Sequence, residues 1–130
     1  MSELINVISK MKNLISLNPA TESDVKTIEQ ELGLALSKEY KEYLLQFGAI
    51  LADNVELTGF AKAKTRNIVS VTKQEWILNN MVPHDMYVVE ILGMDGIIIW
   101  QDSRGYIYET IPTKEPKMIF TSLTDYLKSR

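Results

Sequence analysis

Apolar residues recur at helical spacing at Leu4, Ile8, Met11 and Ile15, with Glu3, Lys10 and Lys12 elsewhere around the wheel. That spacing predicts an amphipathic helix over about residues 2–15, stopped by Asn18 and Pro19. Thr21 precedes a second periodic segment through Val25, Ile28 and Leu32, and Asp24 stands where it can reach back to the helix start, as in a capping box. Gly33 supplies a left-handed end. A third helix follows Ser37, with Leu36, Tyr40, Tyr43, Leu44 and Phe47 on one broad apolar face and Gly48 as its stop.

From Ala49 the pattern changes. Ala49–Leu51 and Val55–Leu57 are short apolar pieces separated by Asp53 and Asn54, which favour turns and predict a small hairpin. Thr72 and Glu75 have capping-box spacing ahead of Trp76, Ile77 and Leu78, so a helix is expected between about Val71 and Asn80. Three segments rich in Val, Ile and Tyr then follow: Met86–Leu92, Gly96–Gln101 and Tyr106–Thr110. Gly-containing turns at 93–96 and 102–105 separate them, which reads as an antiparallel meander. Ile119 and Phe120 suggest a short edge strand. Thr121 or Ser122 can cap a last helix bearing Leu123, Tyr126 and Leu127, with Lys128 and Arg130 suited to its C-terminus. Helices first, a sheet in the middle and a closing helix predict an α+β fold with helices packed on a mainly antiparallel sheet.

Composition narrows the class. The chain has 130 residues, 45% hydrophobic and 24% charged, with a formal net charge of -3, which suits a single domain over residues 1–130 with its own core. It has no cysteine, so disulfides, thiolate metal sites and a thiol nucleophile are excluded, and a reducing cytoplasm is the expected setting. The start Met1-Ser2-Glu3 lacks the basic and apolar regions of a signal peptide. The apolar run Ile97–Trp100 is far shorter than the roughly 20 residues that cross a bilayer, so no membrane role is expected. A pI near 5.2 argues against a nucleic-acid partner. The alternating cations Lys62, Lys64 and Arg66 read as a solvated loop.

Candidates for acid–base or metal chemistry are His84, Asp85, Glu90, Asp95 and Asp102. A single histidine in a loop falls short of a ligand set, and Asp95 and Asp102 stand where Asp bonds its own backbone in turns. Ser70, Ser103 and Ser122 lie in no strand-turn-helix elbow. Gly93, Gly96 and Gly105 precede no helix N-terminus that would hold a phosphate. No enzyme activity, metal or cofactor is therefore expected.

Binding to another protein fits better. The aromatic candidates for a contact surface are Trp76, Trp100, Tyr106 and Tyr108, and the acidic ones are Asp53, Glu56, Asp95 and Asp102. On strict alternation Ile97 and Ile99 share one sheet face and Ile98 and Trp100 the other, so both faces need cover. Trp100 is then either buried core or, with Tyr106 and Tyr108, part of a groove. The oligomeric state stays open.

The order and spacing of Ala20–Val25, Ile28-Glu29, Leu32-Gly33, Leu36, Tyr40-Lys41, Tyr43-Leu44 and Phe47-Gly48 resemble the opening of the SUKH superfamily. Val88–Glu90, Gly93, Asp95-Gly96, Ile98, Asp102, Gly105 and Tyr108 are similar to its sheet, and Ser122–Leu127 to its terminal helix. The likeness spans roughly Ala20 to Leu127. Ala35 replaces a common proline and Ser122-Leu123 a usual Ser-Phe pair. The resemblance implies an immunity protein that neutralises a cognate toxin by direct binding, or a regulatory adaptor, and it carries over no catalytic residue. A pocket between helices and sheet would instead suit a small-molecule-binding domain or a minor enzyme.

Overall fold

The architecture is taken from a computed structural model, described over residues 2–130. Helix α1 (Glu3–Ser9) is capped by Ser2 and stops at Lys10, well short of the Ile15 expected from periodicity. Asn13 turns the chain through a left-handed conformation (φ 56°), and its side-chain amide donates to both Asp53 carboxylate oxygens at 3.1 Å. Ile15 and Ser16 then form strand β1, opposite Leu51 and Ile50. Ile15 belongs to a sheet edge and its apolar spacing with Met11 is incidental; a two-residue strand carries no local signature.

The next two helices follow their caps. In α2 (Glu22–Leu32) the Asp24 N–H donates to Thr21 Oγ1 at 3.1 Å while the Thr21 N–H donates to Asp24 Oδ2 at 2.9 Å, and Gly33 ends the helix at φ 68°. In α3 (Lys38–Phe47) Ser37 Oγ accepts from the Tyr40 N–H. Its terminal Gly48 lies at φ 71° with the Asn18 carbonyl so close that a Cβ would sit 2.1 Å from the oxygen, which leaves no room for another residue.

Strands β2 (Ile50–Ala52) and β3 (Val55–Glu56) make the expected hairpin and, with β1, a three-stranded antiparallel sheet in the order β1-β2-β3. Leu57 bridges to Glu90 and the Thr58 N–H donates to the Val89 carbonyl, joining this small sheet to the large one.

Helix α4 (Ile68–Leu78) begins before the expected Val71, because Asn67 is its cap: Asn67 Oδ1 accepts from the Val69 and Ser70 N–H groups. Thr72 is no cap. It is buried inside the helix, and its Oγ1 accepts from the Val88 N–H at 3.0 Å, fastening α4 to the edge of β4.

The large sheet runs β4 (Met86–Ile91), β5 (Ile98–Asp102), β6 (Ile107–Thr110) and β7 (Lys117–Phe120), antiparallel in sequence order. Helix α5 (Leu123–Lys128), capped by Ser122, closes the chain. Both faces of β5 are covered, as alternation requires. On one face Tyr87 packs on Tyr40 of α3 (ring centroids 5.0 Å apart) and Phe120 meets Tyr126 of α5. On the other, α4 and the β6–β7 loop flank Trp100. A bulge between Val88 and Glu90 shifts the register so that Glu90 pairs with Ile99 and turns its side chain to the face under α5, where it accepts from Tyr126.

Candidate protein-binding surface

Helix α4 buries Ile68, Val71, Thr72 and Trp76, but its last turn leaves Ile77 83% and Leu78 63% exposed. Its sequence is apolar over a wider arc than one buried stripe uses. The β6–β7 loop returns toward this turn, held by Asn79 Nδ2 donating to the Lys114 carbonyl at 3.0 Å. Gly96 (φ 68°) makes room for the loop: a Cβ there would lie 2.6 Å from Pro112 Cγ.

Between helix, sheet and loop lies a cleft of about 370 Å³.

 A separate cleft of about 490 Å³ lies where the N-termini of α1, α3 and α5 meet the β5–β6 turn.

Leu78, Ile111 and Pro112 wall the cleft under α4, and Ile98 and Trp100 lie beneath it. Its polar side chains are Glu75, Asn79 and Thr110. Asn79 is occupied by Lys114 and by the Met81 N–H, and Thr110 Oγ1 accepts from Trp100 Nε1 at 2.9 Å. Glu75 has no such partner, and burial pushes its carboxyl above the ordinary glutamate range.

The expected contact residues divide into groups. Trp100 is fully buried, so it supports the cleft from below and offers no surface of its own. Trp76 is nearly buried, donates from Nε1 to the Met86 carbonyl at 3.2 Å and stacks on the exposed His84 ring at 4.2 Å. Asp102, Tyr106 and Tyr108 do come together. Asp102 accepts from the Tyr106 N–H at 3.1 Å, from the Tyr108 hydroxyl at 2.9 Å and from Arg104 at 2.8 Å, and Arg104 lies over the Tyr106 ring. Burial alone would raise the Asp102 carboxyl; these donors outweigh it and hold it below the usual range. Tyr106 and Tyr108 keep partly exposed rings. Asp95 is exposed in the β4–β5 turn beside Gly96, while Asp53 and Glu56 are exposed on the small sheet, a separate location.

The residues considered for acid–base chemistry are also dispersed. Glu90 is buried and accepts from Tyr126, Arg130 and the Glu56 N–H. Among the described residues no three His, Asp or Glu side chains converge as metal ligands. Of the basic run, Lys62 and Lys64 are exposed, whereas Arg66 is half-buried and donates to the Ile50 carbonyl. Most residues lining the second cleft are polar, but Glu39 within it already accepts from the Leu123 and Thr124 N–H groups and from Gln101.

Sequence reasoning missed Glu75, Leu78, Ile111 and Pro112. The available signals were a carboxylate in the last turn of a helix, where the dipole disfavours it, and the unbroken apolar run Trp76-Ile77-Leu78.

Helices and antiparallel sheets segregated in this way define an α+β protein. The family model described as SUKH_5, SMI1-KNR4 cell-wall, matches residues 1–130, and the chain belongs to that family. The family includes immunity proteins and SMI1/KNR4-like regulators, is generally non-catalytic and often binds protein partners. A comparison with curated proteins gave no match. Among the described residues no helix is long and apolar enough to cross a membrane.

Proposed function

We propose that this chain is a non-catalytic, single-domain, cytoplasmic immunity protein that neutralises a cognate toxin domain by direct binding. Its contact surface in this reading is centred on the cleft between α4 and the β6–β7 loop, with Tyr106 and Tyr108 at its margin. The observation that carries it is the exposure of Leu78 and Ile111 on the walls of a concave site, with exposed Ile77 beside Leu78 in the chain. Water-exposed apolar side chains grouped in this way mark sites of association, and a family that often binds proteins supplies the kind of partner.

The test is co-expression with the protein encoded beside it. Restored growth and a stable purified complex are expected, both lost in a Leu78→Glu, Ile111→Glu variant that still folds. Unchanged toxicity in the presence of the folded wild-type chain would overturn the reading. The family description, with its reference to the cell wall, favours a regulatory adaptor as the second reading. Specific binding to a purified cell-wall-assembly component, with no toxin neutralised, would establish that alternative.

A further inference from the structure

The three polar side chains of the cleft under α4 differ in what they have left to offer. Asn79 has both its amide hydrogen-bonding atoms engaged within the protein, and Thr110 accepts from Trp100. Glu75 alone has no hydrogen bond, and among the described residues no cation forms an ion pair with it. Lys64 lines the neighbouring cleft on the other side of Glu75 without pairing to it.

The position is unfavourable for a carboxylate on two counts. Glu75 occupies the last turn of α4, where the helix dipole disfavours an anion, and no basic residue stands in that turn. It also faces Leu78, Ile98, Ile111 and Pro112, which replace part of its hydration with apolar surface. A side chain that carries both an apolar stem and a cationic end relieves both costs. Arginine suits this shape best, because its guanidinium is planar, weakly hydrated and able to grip a carboxylate with two donors.

We infer that the cleft under α4 is an anchor pocket for an arginine side chain presented by the partner protein, with its stem between Leu78 and Ile111 and its guanidinium on Glu75. This rests on the protein-binding reading above and names its central contact. A buried arginine in a side-chain-sized cleft is a common form of binding hot spot.

The test uses the isotope-labelled chain and N-acetyl-arginine amide, followed by amide chemical shifts at roughly millimolar affinity, as expected of so small a ligand. Shifts are expected at Glu75, Leu78, Asn79 and Ile111. The neutral isostere N-acetyl-citrulline amide should bind about five- to tenfold more weakly, as loss of a charge-assisted contact implies. Glu75→Gln should reduce the arginine probe to the citrulline level while leaving thermal unfolding intact. Equal binding of the two probes, shifts centred elsewhere, or no shift at all would overturn the inference. Because no partner is present in this titration, its failure beside an intact toxin complex removes the anchor and leaves the binding function standing.

Discussion

On the face of the large sheet under α3 and α5, Glu39 and Glu90 are surrounded by donors; on the face under α4, Glu75 meets mainly apolar side chains. Glu39 accepts from the Leu123 N–H at 2.6 Å, from the Thr124 N–H at 2.9 Å and hydroxyl at 2.7 Å, and from Gln101 at 3.1 Å, so it caps α5 from a distant helix. Glu90 accepts from Tyr126 at 2.5 Å and from the Glu56 N–H at 2.8 Å, and pairs with Arg130. Those groups serve the fold, because internal donors replace the water they lost. Glu75 has no replacement, and the difference separates polar groups that build the structure from the one proposed above to serve association.

Substitutions sharpen the comparison, beginning with the largest effect. Glu90→Ala should destabilise the chain by about 3 kcal/mol in urea unfolding, since it leaves Arg130, Tyr126 and the Glu56 N–H without their shared acceptor. Glu39→Ala should cost about 2 kcal/mol by uncapping α5, with faster amide exchange at Leu123 and Thr124 as its local signature. A loss no larger than that of Glu75→Gln would erase the distinction.

Asp102→Asn should cost about 1 kcal/mol at neutral pH through weakened turn hydrogen bonds. The lowered Asp102 carboxyl gives stability that is complete above the unfolded-state aspartate range and is lost as pH falls through the folded-state value. The variant's deficit should therefore shrink in acid. Glu75 has the opposite sign: its raised carboxyl weakens the fold when ionised, and that penalty disappears as pH falls below the unfolded-state glutamate range. Glu75→Gln should thus leave stability within about 0.5 kcal/mol at neutral pH, with any gain fading in acid. A clear loss of stability would show that Glu75 has a structural partner after all.

Much of the fold was legible because its signals are local. Thr21 with Asp24, Ser37 and Gly33 mark helix ends by satisfying or redirecting nearby backbone, and the Val-, Ile- and Tyr-rich runs between glycine turns specify the meander. Strand β1 was not legible, because Ile15 and Ser16 become a strand only by pairing with β2 some 35 residues later. The true cap of α4 was hidden behind the Thr72–Glu75 spacing, whose hydroxyl is spent on the sheet. The candidate surface was legible only in part. Tyr106, Tyr108 and Asp102 do cluster, but the cleft depends on a loop returning over Gly96 and on the burial of Trp100, both products of tertiary packing.

The most direct measurement is an amide chemical-shift map of the labelled chain in complex with the toxin domain it is proposed to neutralise. The largest changes are expected at Glu75, Leu78 and Asn79 in and after α4 and at Ile111 in the β6–β7 loop, with smaller ones at Tyr106 and Tyr108. A footprint centred instead on Ile15 and Leu51 of the small sheet, or on the Glu39 cleft, would contradict the account.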